Sequence, residues 1–273
     1  MANRIAFIVL ALMLAACGAT STHVAVMANP PPAVEVPSPS AEPTPSPAPR
    51  PTERVLDIKI HYQEHNLTCE AAALKMALAY EGITVDEMTL VGYMTNDRRP
   101  AQFDTRGRLI AWGNPAQGFV GDPDGHIERL TGYGVYFGPV ATAATKAGAE
   151  AIKAGGGLYG SAIAPSEVYD AVLDGNPVVA WISNTYRTVN LSRYTAFDGA
   201  TVSYTLTEHA VTVIGVRPDA VLINDPWFGQ HWHSKAQFEA AYRTFDNMAV
   251  IVGAEMKRGS RLGSLLAGTN SAN

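Results

Sequence analysis

The segment His61-Tyr62-Gln63-Glu64-His65-Asn66-Leu67-Thr68-Cys69-Glu70-Ala71-Ala72 decides how the rest of the chain is read. It passes from polar loop residues into an alanine-rich run, and Leu74, Ala77 and Leu78 carry one apolar face on toward Tyr80. That spacing predicts a helix over Cys69–Tyr80, with Gly82 as its stop. Cys69 then stands at a helix N-terminus, where unpaired backbone N–H groups and the macrodipole favour a thiolate. Six positions earlier, Gln63 offers an amide. Its side-chain N–H and the backbone N–H of Cys69 suit a developing oxyanion.

A nucleophilic thiol needs a base, and the base needs an orienting group. His209 heads the apolar run Ala210-Val211-Thr212-Val213-Ile214-Gly215, and Asp225 follows Val221-Leu222-Ile223-Asn224. Both runs read as strands, joined by a tight turn at Arg217-Pro218-Asp219. Antiparallel pairing brings the start of one near the end of the other, so His209 and Asp225 become neighbours. Asn224 competes for the orienting role, but strand alternation points it to the opposite face.

Other elements fall around these two motifs. Val55–Tyr62 alternates and reads as a strand. Thr84 and Glu87 form a capping-box pattern for a short helix carrying Leu90, Val91 and Met94. Residues 96–138 are rich in Gly, Pro and Asp and show no regular period. Pro139–Lys153 and Ser166–Leu173 read as helices, Val178–Ile182 as a buried strand, and Thr185–Thr207 as a hairpin or extended insertion. Ser234 and Gln237 cap a last helix, and Met248–Val252 is a final strand. Helices lead and strands cluster later, which predicts an α+β fold with a mostly antiparallel sheet.

The 273 residues are 47% hydrophobic and 16% charged, enough for a packed core. Net charge is −5, with no basic cluster, so nucleic acid is not expected as a partner. Of the two cysteines, Cys17 closes the run Leu14-Ala15-Ala16-Cys17, after Arg4 and the short apolar stretch Ile5–Leu14. This resembles a bacterial lipobox, with Cys17 as the lipidated first mature residue. The alternative is an ordinary signal peptide cut later, after Ala28. Both place the domain outside the cytoplasm. Ten prolines between Pro30 and Pro51 make an extended tether. The chain thus divides into a signal peptide (1–16), a Pro-rich tether (17–54), one folded domain (55–256) and a tail (257–273). A membrane attachment through an N-terminal lipid is the expected anchor, with free secretion as the alternative.

The quoted segment, together with Glu208-His209-Ala210-Val211-Thr212-Val213-Ile214-Gly215 and Leu222-Ile223-Asn224-Asp225-Pro226-Trp227-Phe228-Gly229, resembles the motifs of the C39-like cysteine peptidases. The stretch from Trp112-Gly113-Asn114-Pro115 to Gly118-Phe119-Val120-Gly121-Asp122 is similar to a secreted branch of that family. The resemblance implies a papain-like fold, in which an N-terminal helix bearing the cysteine packs on a sheet bearing the histidine and aspartate. It implies Gln63 as oxyanion stabiliser, Cys69 as nucleophile, His209 as general base and acid, and Asp225 as orienter. It calls for no metal or organic cofactor, and for a peptide or protein as substrate. One departure is Glu70, where many relatives carry glycine; an acid beside the thiol raises its pKa. The rival readings are a cell-wall amidase or acyl transferase on the same scaffold, and a non-catalytic module that binds peptides.

Weaker signals have plainer readings. His61 and His65 flank Gln63 in a loop, which disfavours a helical metal pair. His231 and His233 share one side of a strand and suit a metal, although packing is the simpler role. Asp122, Asp124 and Gly125 resemble part of a calcium loop without its glutamate, and read as a turn. Trp181, Trp227 and Trp232 are candidates for a cleft lining, with core packing as the default.

Overall fold

The computed structural model describes residues 50–254. The expected signal peptide, Cys17, the part of the expected tether before residue 50 and the expected tail lie outside the described residues. Strands are numbered here for the main sheet alone: β1 (Arg54–Val55), β2 (Ala149–Gly155), β3 (Val178–Ser183), β4 (Glu208–Val216), β5 (Ala220–Asp225), β6 (Gly229–Ser234) and β7 (Ala249–Ala254). The helices are α1 (Cys69–Tyr80), α2 (Glu87–Tyr93), α3 (Phe137–Lys146), α4 (Pro165–Leu173) and α5 (Lys235–Tyr242).

The sheet runs β6-β5-β4-β3-β7-β2, and β1 adds to the free length of β4. Every pairing in it is antiparallel. Strand alternation sends Val179, Trp181, Ala210, Val250 and Val252 into one core with α1, α2 and α3. It sends Val178, Ala180, Ile182, Val211 and Val213 into the other, against α4 and α5. Helix α1 is buried on nearly every side, which its five alanines permit by letting backbones approach closely. The Thr212 hydroxyl of β4 donates to Ala73 O at 2.9 Å, fastening α1 to the middle of the sheet.

Three expectations are corrected. Val55–Tyr62 is not one strand: Arg54 and Val55 pair with β4, Leu56 N–H adds one bond to Ile214 O at 2.8 Å, and pairing ends there, because β4 already has β5 on one side and β3 along much of the other. Leu56 and Ile58 are still buried, so the alternation is real, but it serves packing and not a ladder. Pro139–Lys153 is not one helix. Gly148 at φ 95° ends α3, and the following residues pair along β7 as β2. Thr84 and Glu87 form no capping box: α2 starts at Glu87 with Asp86 as N-cap, and the Glu87 side chain turns inward. By contrast, the Ser234–Gln237 box at α5 forms as read.

Residues 96–138 hold strands of two to four residues, too short to show a period. Leu109–Trp112 pairs in parallel with Ser192–Ala196, whose hairpin partner is Thr201–Tyr204. Asp122 closes a turn, its carbonyl accepting from Gly125 N–H at 2.9 Å.

Candidate active site

The entry to α1 is tied down by one buried carboxylate. Glu87 of α2 accepts from Glu64 N–H at 3.0 and 3.2 Å, lies 2.9 Å from His61 Nε2, and accepts from the Thr68 hydroxyl. These three residues bracket Gln63 and lead into Cys69. Glu87, Leu90, Val91 and Met94 stand at i, i+3, i+4 and i+7, all buried. That spacing was a legible sign that the acid faces inward.

Gln63 Nε2 donates to His65 O at 2.7 Å and to Asn66 O at 2.8 Å. Both amide hydrogens are engaged within its own loop, and its Oε1 is buried with no partner among the described residues. An oxyanion role requires one of these bonds to be released.

Cys69 is 6% exposed. Its Sγ accepts from Ala210 N–H at 3.4 Å and lies 3.5 Å from Glu70 Oε2. Burial pushes the thiol pKa up, the charges of Glu70 and Glu208 push it further, and the Ala210 N–H only partly opposes them; it ends well above the ordinary value. Against the expectation of a favoured thiolate at the helix start, burial and two acids here act to keep the thiol protonated. Burial also raises the Glu70 carboxyl to about 7, against the lowering effect of the Val135 N–H, which donates to Oε1 at 2.6 Å. Gly134, at φ 123°, leaves the space this carboxyl occupies; a Cβ there would strike Glu70 Oε1. Glu208, which opens β4, is raised well above the usual carboxylate range by burial and then by Glu70. The sequence reading passed over Glu208, although an acid at the head of a strand that is otherwise mostly apolar is itself a signal.

The other half lies on the sheet. His209 and Asp225 are both 2% exposed, and Nε2 lies 2.8 Å from Oδ1. The same oxygen accepts from Trp227 N–H at 2.8 Å and Phe228 N–H at 3.1 Å, while Tyr186 donates to Oδ2 at 3.4 Å. Burial pushes Asp225 up, but His209 and the two backbone donors outweigh it, and the carboxyl sits below its ordinary value. Trp227 covers the imidazole, ring centroids 5.6 Å apart. Asn224 faces away: it donates to Ile58 O and accepts from Gln230. With Nε2 taken, Nδ1 is the imidazole nitrogen left for chemistry.

Gln63, Cys69, Glu208, His209 and Trp227 line one cavity of about 40 Å³. Trp181 is core, its Nε1 donating to Val135 O, and Trp232 lies on the exposed β6 beneath Arg217. His233 stacks on Tyr186 at 4.0 Å, and His231 Nε2 lies 2.8 Å from Phe228 O, so these two histidines serve packing and loop closure. His65 pairs with Asp124 across the loop.

A cysteine-bearing helix laid on an antiparallel sheet, with a His–Asp pair at the ends of two inner strands, defines an α+β protein of the cysteine-peptidase-like class. Residues 55–250 match the model of the Peptidase_C39 like family, and the chain belongs to that family. A solved C39-like peptidase structure from Bacillus anthracis is 30% identical, with a TM-score of 0.59, over 73% of this chain and 96% of that one. The uncharacterised protein YvpB of Bacillus subtilis (strain 168) is 28% identical over 185 residues, 67% of this chain and 68% of that protein.

Proposed function

We propose that this protein is an extracytoplasmic cysteine peptidase, lipid-anchored through Cys17, that hydrolyses peptide bonds through a Cys69–His209–Asp225 triad. The observation that carries the reading is the buried 2.8 Å His209–Asp225 bond, opening on the cavity that Cys69 also lines. Asp225 holds a proton on Nε2 and leaves Nδ1 free as base. Turning Sγ away from Glu70 hands its proton to Nδ1, and the thiolate attacks the peptide carbonyl. The Cys69 N–H and one freed Gln63 N–H hold the oxyanion. His209 then protonates the leaving amine and activates water to cleave the thioester.

The substrate is a peptide or protein segment outside the cytoplasm. Acceptors other than water, and cell-wall peptides in place of proteins, use the same steps, because loops and not the triad choose them. The buried thiol bonded toward Glu70 favours a second reading, a peptide-binding module without turnover. Hydrolysis of fluorescence-quenched peptides by wild type and Cys69→Ala separates them. Loss of cleavage in the variant supports the peptidase; equal cleavage by both discards the triad.

A further inference from the structure

Three ligand-type atoms meet where α1 faces the head of β4. Cys69 Sγ and one carboxylate oxygen each from Glu70 and Glu208 lie within 4.8 Å of one another, and all three residues are buried. The cluster is short of hydrogen-bond donors. Val135 N–H serves one Glu70 oxygen and the thiol approaches the other. Glu208 is 7% exposed, yet its Oε1 has no partner among the described residues. A buried acceptor left without a donor costs about 1–3 kcal/mol, and more when charged. Ala210 N–H reaches the sulfur; once ionised, two adjacent carboxylates and a thiolate at one spot call for a positive charge.

The donor set says which charge fits. One sulfur and two carboxylate oxygens disfavour Mg²⁺ and Ca²⁺, which take oxygen shells, and favour a borderline-soft ion. Zinc binds sulfur at about 2.3 Å and carboxylate oxygen at about 2.0–2.2 Å, distances that the present spacing reaches with small side-chain rotations. The adjoining cavity of about 40 Å³ has room for about one water. That water completes a site with three protein ligands and one open position.

We propose that Cys69, Glu70 and Glu208 form a site for a single divalent cation of the zinc class, and that the bound cation takes the thiolate as ligand and halts peptide hydrolysis. The second half rests on the peptidase reading above. On binding, the S–H bond and the O–H bonds of the protonated Glu70 and Glu208 carboxyls break heterolytically, sulfur–metal and oxygen–metal bonds form, and the protons leave to solvent; nothing is oxidised or reduced.

The test uses the untagged full-length protein, stripped with a chelator and titrated with Cd²⁺ while the thiolate-to-cadmium charge-transfer band is recorded. One equivalent is expected, displaced by Zn²⁺ and lost in Cys69→Ala. Outer-shell partners alone are worth about 10–100-fold in affinity, so Glu208→Gln and Glu70→Gln should each weaken binding by about tenfold or more. No band in the wild type, or unchanged affinity in both glutamine variants, overturns the site; the wild-type titration stands even if a variant does not fold. Peptide cleavage is then followed in chelator and with Zn²⁺. Turnover that stops at one equivalent is expected. Turnover that persists at saturating Zn²⁺ overturns the regulatory half. No turnover in chelator with the band intact overturns the peptidase reading and leaves the cation site standing.

Discussion

The thiol half and the imidazole half of this site are built on opposite electrostatic terms. Cys69 sits among buried acids with one N–H for support, and its proton is held tightly. Asp225 is also buried but receives three donors on one oxygen, and its charge is favoured. Both halves are desolvated, so burial alone does not set the protonation state. The count of donors against neighbouring acids does. The imidazole half is fixed in one geometry by its donors, while burial and two acids keep the proton on the thiol.

The largest expected effect breaks the comparison from the sheet side. His209→Ala should lower peptide cleavage by about 10²–10⁴-fold, the usual worth of a positioned acid–base group. It is measured as turnover per folded protein, and an unchanged rate would discard His209 as the base.

Next comes Gly134→Ala. A methyl there strikes the Glu70 carboxyl from a left-handed backbone position. The expected loss is about 1–3 kcal/mol, read as a lowered urea midpoint. An unmoved midpoint would show that the Glu70 pocket is loose.

Glu70→Gln sharpens the contrast by deleting one of the two acids that hold the thiol proton. Removing that charge lowers the thiol pKa and raises the thiolate fraction. Iodoacetamide labelling of Cys69 at pH 7, in chelator, should quicken. A slower or equal rate would mean that burial alone raises the thiol.

The smallest effect concerns acid stability. The Asp225 carboxyl titrates lower in the folded chain than unfolded. Its stabilisation is therefore full above the unfolded value of about 3.9 and is lost as pH falls through the lower folded value. Asp225→Asn should flatten this acid limb in denaturant melts across pH 2–6. An identical pH profile in the variant would contradict the lowered carboxyl.

Reading the sequence reached some levels of this structure and not others. The helix over Cys69–Tyr80 and the capped start of α5 were legible because caps and apolar spacing act within a turn or two. The strands carrying His209 and Asp225 were legible because the turn at Arg217-Pro218-Asp219 leaves them one way to pair. Glu87 misled: it matched a local cap pattern, yet three partners on the Gln63 loop hold it inside. The second half of the expected Pro139–Lys153 helix also misled, since pairing along β7 overrode its helix-like composition.

The sequence by itself therefore determined the α+β class, the cysteine at a helix start and the His–Asp pair across one tight turn, because each depends on residues near in the chain or on strand parity. Only the tertiary structure decided that Glu70, Glu87 and Glu208 are buried and that the thiol faces an acid. Local spacing hints at the burial of Glu87 and Glu208, but proton affinity depends on which distant faces meet, and no local pattern places an acid against the thiol.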